Sequence, residues 1–314
     1  MRQVCIATAI LFLMGPVFAA TNTVAPTDHQ VAEPLDSVMV EGNEPRYVAP
    51  TLRDRIGRIW APVMINGKGP FRLVLDTGAN SSAVIPSVAH SLGIPYHDSN
   101  NVVQLHGVTG SAIVPNIVAD TFEVGDLLID RARLPVVADV FGGAEGVLGT
   151  NGLDDKRIFI DFRNDYIQIA RSHGQRAPAG FQKLPIKLDG QLLTFDIRIG
   201  GIRTKAILDT GAQQTIGNRS LREALIRRSR EGSTQTIVGV TLDVAQGQSI
   251  PVPPISIGEI EIHNMRVTFG DMFIFDKWNL TRDPAMLLGM DVIGTLDTLV
   301  IDYKERELQL RTRH

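Results

Sequence analysis

From about residue 55 onward, apolar residues fall in short alternating runs cut by Gly, Pro, Asn and Asp, the period of β-strands and not of helices. Ile59-Trp60-Ala61-Pro62-Val63-Met64-Ile65 and the run Phe71 to Leu75 read as two strands joined by the turn Asn66-Gly67-Lys68-Gly69-Pro70. Val102 to Val114 alternates about Gly107-Val108-Thr109-Gly110, which predicts a hairpin with a flexible tip. Leu184 to Leu188 and Leu193 to Ile199 read as strands again, and Gly200-Gly201 turns the chain into another. Helical spacing is confined to Pro86 to Leu92, stopped by Gly93, and Ser220 to Arg228, whose Arg222, Arg227 and Arg228 read as a solvated basic face. The pattern predicts an all-β protein with short helices.

The pattern also repeats. Leu75-Asp76-Thr77-Gly78-Ala79 recurs as Leu208-Asp209-Thr210-Gly211-Ala212, an offset of 209 − 76 = 133. Phe122-Glu123-Val124-Gly125-Asp126-Leu127 matches Ile255-Ser256-Ile257-Gly258-Glu259-Ile260 at the same offset, and Gly107-Val108-Thr109 matches Gly239-Val240-Thr241 at 132. Val147-Leu148-Gly149 and Ile160-Asp161-Phe162-Arg163 match Leu287-Leu288-Gly289 and Ile301-Asp302-Tyr303-Lys304 at 140 and 141. One colinear order with small insertions is an internal duplication, too long for a solenoid unit and the right size for a lobe. Asp is common in turns for structural reasons, and Asp161 and Asp302 read that way. Asp76 and Asp209 stand apart because five residues stay identical while neighbours diverge, Asn80-Ser81-Ser82 against Gln213-Gln214-Thr215.

On these two Leu-Asp-Thr-Gly-Ala turns and the two apolar-apolar-Gly triplets, the chain resembles the pepsin-like aspartic proteases. It is more closely similar to bacterial proteins built from retroviral-type (retropepsin-like) repeats, over roughly residues 55 to 312. The resemblance implies a bilobal, pepsin-like all-β fold made of two retropepsin-like lobes, expected at 51–175 and 176–314 with a linker over 171–180. It implies a catalytic pair, Asp76 and Asp209, one from each lobe. Two carboxylates in contact cannot both ionise cheaply, so they share a proton and supply acid and base to a water between them, without metal or covalent intermediate. Thr77 and Thr210 are implied to bond across to the opposite turn, Gly78 and Gly211 to allow the turns, and Ala79 and Ala212 to keep their floors small. Ala in place of the Ser or Thr usual in pepsin-type enzymes implies a less acidic optimum. Gly107, Val108, Thr109 and Gly110 would form the substrate-covering flap, without the pepsin-type tyrosine.

The remaining features set the context. Arg2 followed by the mostly apolar Ile6 to Phe18 and by Val17-Phe18-Ala19 predicts a cleaved secretory signal at 1–20, then a flexible leader at 21–50. A periplasmic or secreted protein with no membrane insertion after cleavage follows. Cys5, the only cysteine, lies within that signal, so no disulfide, zinc-thiolate site or cysteine nucleophile is expected in the mature chain. His90 and His97 read as surface residues, and no His-Glu-x-x-His motif points to a metal hydrolase, so no cofactor is expected. A net charge of −3 gives no field for nucleic acid. The expected partner is a polypeptide substrate, bound by a monomer whose lobes are related by pseudo-two-fold symmetry. The alternative is a non-catalytic peptide-binding or scaffold protein on the same fold. The loop Trp278 to Pro284 has no equal in the first repeat, and would line a pocket or cover an edge.

Overall fold

The computed structural model describes residues 57–97, 101–189, 192–225 and 232–312, and the backbone of three short strands before them (Val4–Ile6, Phe12–Met14 and Ala49–Pro50). Apart from those strands, the signal segment expected at 1–20 and the leader at 21–50 lie outside the described residues.

Both repeats fold into the same β-rich lobe. In the first, Trp60–Ile65 and Lys68–Leu75 form a hairpin. Its turn places Asn66 (φ 51°) and Gly67 (φ 67°) in the left-handed region, the turn type whose twist matches paired strands. Gly146–Leu148 lies parallel to the second strand, with Leu148 opposite Leu75. In the second lobe Leu192–Ile199 and Ile202–Leu208 form the hairpin, and Ala285–Leu288 lies parallel with Leu288 opposite Leu208. Parallel neighbours cannot be joined by a tight turn, so the chain leaves and returns between them. That excursion carries the helix Pro86–Leu92 and the hairpin Val102–His106 with Ser111–Val124 in the first lobe. In the second it carries the helix Arg219–Leu225 and the hairpin Ser233–Val238 with Val244–Pro251. Leu73, Val74 and Leu75 are all buried, as are Ala206, Ile207 and Leu208: strands covered on both faces lose their alternation.

A third sheet joins the lobes. Its strands run Gln182–Pro185, Glu307–Thr312, Leu296–Asp302, Lys156–Asp161, Tyr166–Arg171, Ala49–Pro50. Lys156–Asp161 from the first repeat pairs antiparallel with Leu296–Asp302 from the second, Phe159 opposite Val300. These partners are 300 − 159 = 141 positions apart, the offset at which Ile160-Asp161 recurs as Ile301-Asp302, so the local two-fold axis passes between them. Asp161 and Asp302 end the two strands as turn acceptors. Asp161 Oδ1 takes the N–H groups of Arg163 and Asn164, and Asp302 Oδ1 takes that of Glu305.

The largest difference in length between the lobes lies late in the repeat. The offset is 133 at Gly258 and 140 at Leu287, so seven extra residues (140 − 133 = 7) fall between them. There the second lobe has the helix Phe273–Lys277 and the loop to Pro284. That loop packs on the helix Arg219–Leu225: the Asn218 side-chain amide donates to the carbonyls of Leu280 (2.6 Å) and Asp283 (2.7 Å), and Ser220 Oγ to that of Arg282 (2.9 Å).

Candidate active site

Each Asp-Thr-Gly turn begins where an apolar strand ends. The Asp76 N–H donates to the Leu148 carbonyl (3.0 Å) and that of Asp209 to the Leu288 carbonyl (3.1 Å), so the apolar-apolar-Gly triplets pin the turns from the adjacent strand. Asp76 Oδ1 accepts the Gly78 N–H (2.9 Å), and Asp209 Oδ1 accepts those of Gly211 (3.0 Å) and Ala212 (2.9 Å). At Gly211 the need for glycine is spatial: a Cβ there would collide with the Asp76 carboxyl group, so the partner lobe's aspartate and not the turn alone dictates the residue. Ala79 and Ala212 are buried beneath their turns.

The threonines lock the turns to each other. The Thr77 N–H donates to Thr210 Oγ1 (3.1 Å) and the Thr210 N–H to Thr77 Oγ1 (3.2 Å). Each hydroxyl in turn donates to the backbone carbonyl ahead of the opposite aspartate, Thr77 to Leu208 and Thr210 to Leu75, both at 2.7 Å. Since 210 − 77 = 133, equivalent atoms of the two repeats meet, and this crossed set of four bonds has local two-fold symmetry, as the Phe159–Val300 pairing does.

The two carboxyls lie within hydrogen-bonding reach of each other, both fully buried at 0% exposure. The Oδ2 atom of each has no protein donor. Burial, and then the charge of Asp209, raise the Asp76 carboxyl well above the ordinary range. Burial pushes Asp209 up to about 7 against the lowering bonds from Ala212 and Gly211. The pair therefore titrates as a unit, holding a proton where isolated carboxylates would hold none. Such a group can take a proton from a bound water and give one to a carbonyl oxygen.

A layer beneath the turns went unread in the sequence. Asn151 Oδ1 accepts from the N–H (2.9 Å) and hydroxyl (3.1 Å) of Ser82, whose Oγ takes the Gly149 N–H (3.1 Å). In the second lobe Asp291 accepts from the N–H (3.0 Å) and hydroxyl (2.6 Å) of Thr215, whose Oγ1 takes the Gly289 N–H (3.1 Å). The triplets Asn80-Ser81-Ser82 and Gln213-Gln214-Thr215, read as diverged, thus keep a hydroxyl at their third position, again 133 apart. That shared hydroxyl was the available signal.

Gly107, Val108, Thr109 and Gly110 form the tip of the Val102–Val124 hairpin, closed by the Gly107 N–H to the Gly110 carbonyl (2.8 Å). The tip does not stand alone. The matching Gly239-Val240-Thr241 forms the tip of the second lobe's hairpin, and the two meet across the molecule. Thr109 Oγ1 donates to the Asp243 carbonyl (2.8 Å), and a Cβ at Gly107 would touch Val240 (3.3 Å). The molecule thus carries a flap-like tip in each lobe and not only the one expected at Gly107–Gly110. His90 and His97 are exposed, as expected.

A family model described as aspartyl protease matches residues 61–151 and 195–292. One match falls in each lobe, and each takes in one Asp-Thr-Gly turn, one hairpin tip and one apolar-apolar-Gly triplet. No curated protein matches the chain.

Proposed function

The chain belongs to the aspartyl protease family, and from that premise we propose that it is an exported aspartic endopeptidase in which Asp76 and Asp209 activate one water between them. The observation that carries this reading is the pair of buried carboxyls, each with an Oδ2 lacking a protein donor, held together by the crossed Thr77–Thr210 bonds.

In the working state the pair holds a single proton. The ionised carboxylate takes a proton from the water as its oxygen attacks the peptide carbonyl carbon, and the protonated partner gives its proton to the carbonyl oxygen. A neutral tetrahedral diol results. As its C–N bond breaks, the protonated carboxyl gives its proton to the departing nitrogen and the ionised one takes a proton from a diol hydroxyl, leaving a free acid, a free amine and the pair with its single proton. Positions in this cycle belong to the dyad and not to either residue alone. The charge of Asp209 raises Asp76, so Asp209 ionises first, at about 7, and leaves the pair with its single proton; activity therefore rises as pH climbs through that region and falls at the higher step where the last proton is lost, a less acidic profile than free carboxyls would give.

The substrate in this reading is an extended polypeptide lying under the two hairpin tips, and the two lobes of one chain complete the site without a second copy. Nucleic acid has no part in it. Export rests on the apolar segment and small residues at 6–20 and places the protein in the periplasm or outside the cell. The test is digestion of an unfolded protein across a pH series. Cleavage that a statine-type transition-state analogue blocks and a metal chelator leaves untouched is the expected result. Inhibitor binding without cleavage at any pH would favour the peptide-binding alternative, and chelator sensitivity would overturn the mechanism.

A further inference from the structure

We infer that the segment Gly270–Pro284, seven residues longer than its counterpart at 137–144 in the first repeat, is a clasp that anchors the first lobe's flap, so that polypeptide enters the cleft by movement of the second flap, Ser233–Pro251. The inference rests on the reading of the cleft as a polypeptide site, and its observations are asymmetries between two otherwise matched hairpins.

The first flap is seated in the opposite lobe. Leu105, His106 and Val108 are all buried, and Val108, at 0% exposure, joins an apolar cluster whose other members come from the second lobe. Met272, Ile274, Phe275 and Leu280 of that cluster belong to the longer segment. The Ile274 N–H donates to the Val108 carbonyl (3.3 Å), and the rings of His106 and Phe273 pack at 5.8 Å between centroids. Lifting this flap would expose a valine to water, part the His106 and Phe273 rings and strip a backbone bond, against which His106, whose two ring nitrogens are buried without partners, would regain water.

The second flap has apolar seating too, Val240 in the main core and Ile237 in the same cluster as Val108, but among the described residues no backbone N–H of the other lobe donates to its tip and no ring packs on it. At its tip Val240 is buried, but Leu242 is 57% exposed and Val244 63% exposed. Leu242 also holds a left-handed backbone (φ 65°), a conformation that a residue with a side chain resists and that is relieved when the turn rearranges. Both flaps share the Thr109–Asp243 bond, which breaks whichever one moves and so favours neither. The backbone bond and ring contact on the first flap and the left-handed Leu242 on the second make the second flap the one that opens.

Hydrogen exchange read by mass spectrometry tests this on the full mature chain carrying Asp209→Asn, which prevents self-digestion. In that chain the amides over 237–246 should exchange at least about tenfold faster than those over 105–112. Adding Phe273→Ala should speed exchange over 105–112 by about tenfold while the strand Ala285–Leu288 keeps its protection. Equal exchange of the two flaps before that change overturns the inference, as does a Phe273→Ala chain whose first flap stays protected. Should Phe273→Ala loosen the whole lobe, Phe273→Leu, which keeps an apolar side chain against His106, replaces it with the same expected direction. Exchange does not depend on cleavage, so a chain with asymmetric flaps that cuts nothing defeats the proposed function and leaves the clasp standing.

Discussion

The Thr210 hydroxyl makes two bonds that a methyl group cannot, accepting from the Thr77 N–H and donating to the Leu75 carbonyl in a fully buried position. Thr210→Ala orphans both partners, and we expect a loss of about 2–4 kcal/mol in urea unfolding, with most of it restored by Thr210→Ser. Equal losses in the two variants would mean that the methyl group, not the hydroxyl, matters. At Asp209 the sign of the pH dependence follows from the direction of the shift. Its carboxyl sits at about 7 when folded, above its unfolded value, so the folded state binds the proton more tightly. Stability is therefore fully present at low pH and is lost as pH rises through about 7. Asp209→Asn, which keeps an oxygen for Gly211 and Ala212, should match the parent below pH ~4 and melt higher than it at pH ~8, as thermal scans would record. A parent that gains stability over the parent-to-variant comparison with rising pH would contradict the assignment.

At the scale of elements, the two parallel strand pairs depend on what lies behind the Asp turns. Thr215 links the turn strand to Gly289 and Asp291, so Thr215→Val should cost on the order of 2 kcal/mol. Asp291→Asn puts in the residue that the first lobe uses at Asn151 and should change stability by less than about 1 kcal/mol at neutral pH, since burial already raises the Asp291 carboxyl. Urea midpoints decide between this ranking and its reverse. Much of this level was legible in the chain. Alternation and turn residues gave the hairpins at Asn66-Gly67 and Gly200-Gly201, and Pro86 and Gly93 bounded the first helix, where Gly93 takes a left-handed φ of 75°. The buttresses at Ser82 and Thr215 were not legible, because their partners Asn151 and Asp291 lie 69 and 76 positions away and differ in type. The need for glycine at 211 was hidden for a related reason: the atom that excludes a side chain belongs to the other lobe.

For the whole molecule, the duplication in sequence becomes local two-fold symmetry in space, where Thr77 meets Thr210 and again where Phe159 meets Val300. Drift in the offset located the largest departure in length from that symmetry, the longer segment before Leu287, although only folding reveals that it reaches the first flap. Symmetry of this kind gives neither aspartate a site of its own: each lobe supplies half. The most direct measurement is cleavage of an unfolded protein by the mature chain beside Asp76→Asn and Asp209→Asn singly. The account predicts that each substitution alone lowers the rate by at least about a thousandfold while the melting transition remains. A chain that keeps cutting with either aspartate replaced would contradict a shared dyad.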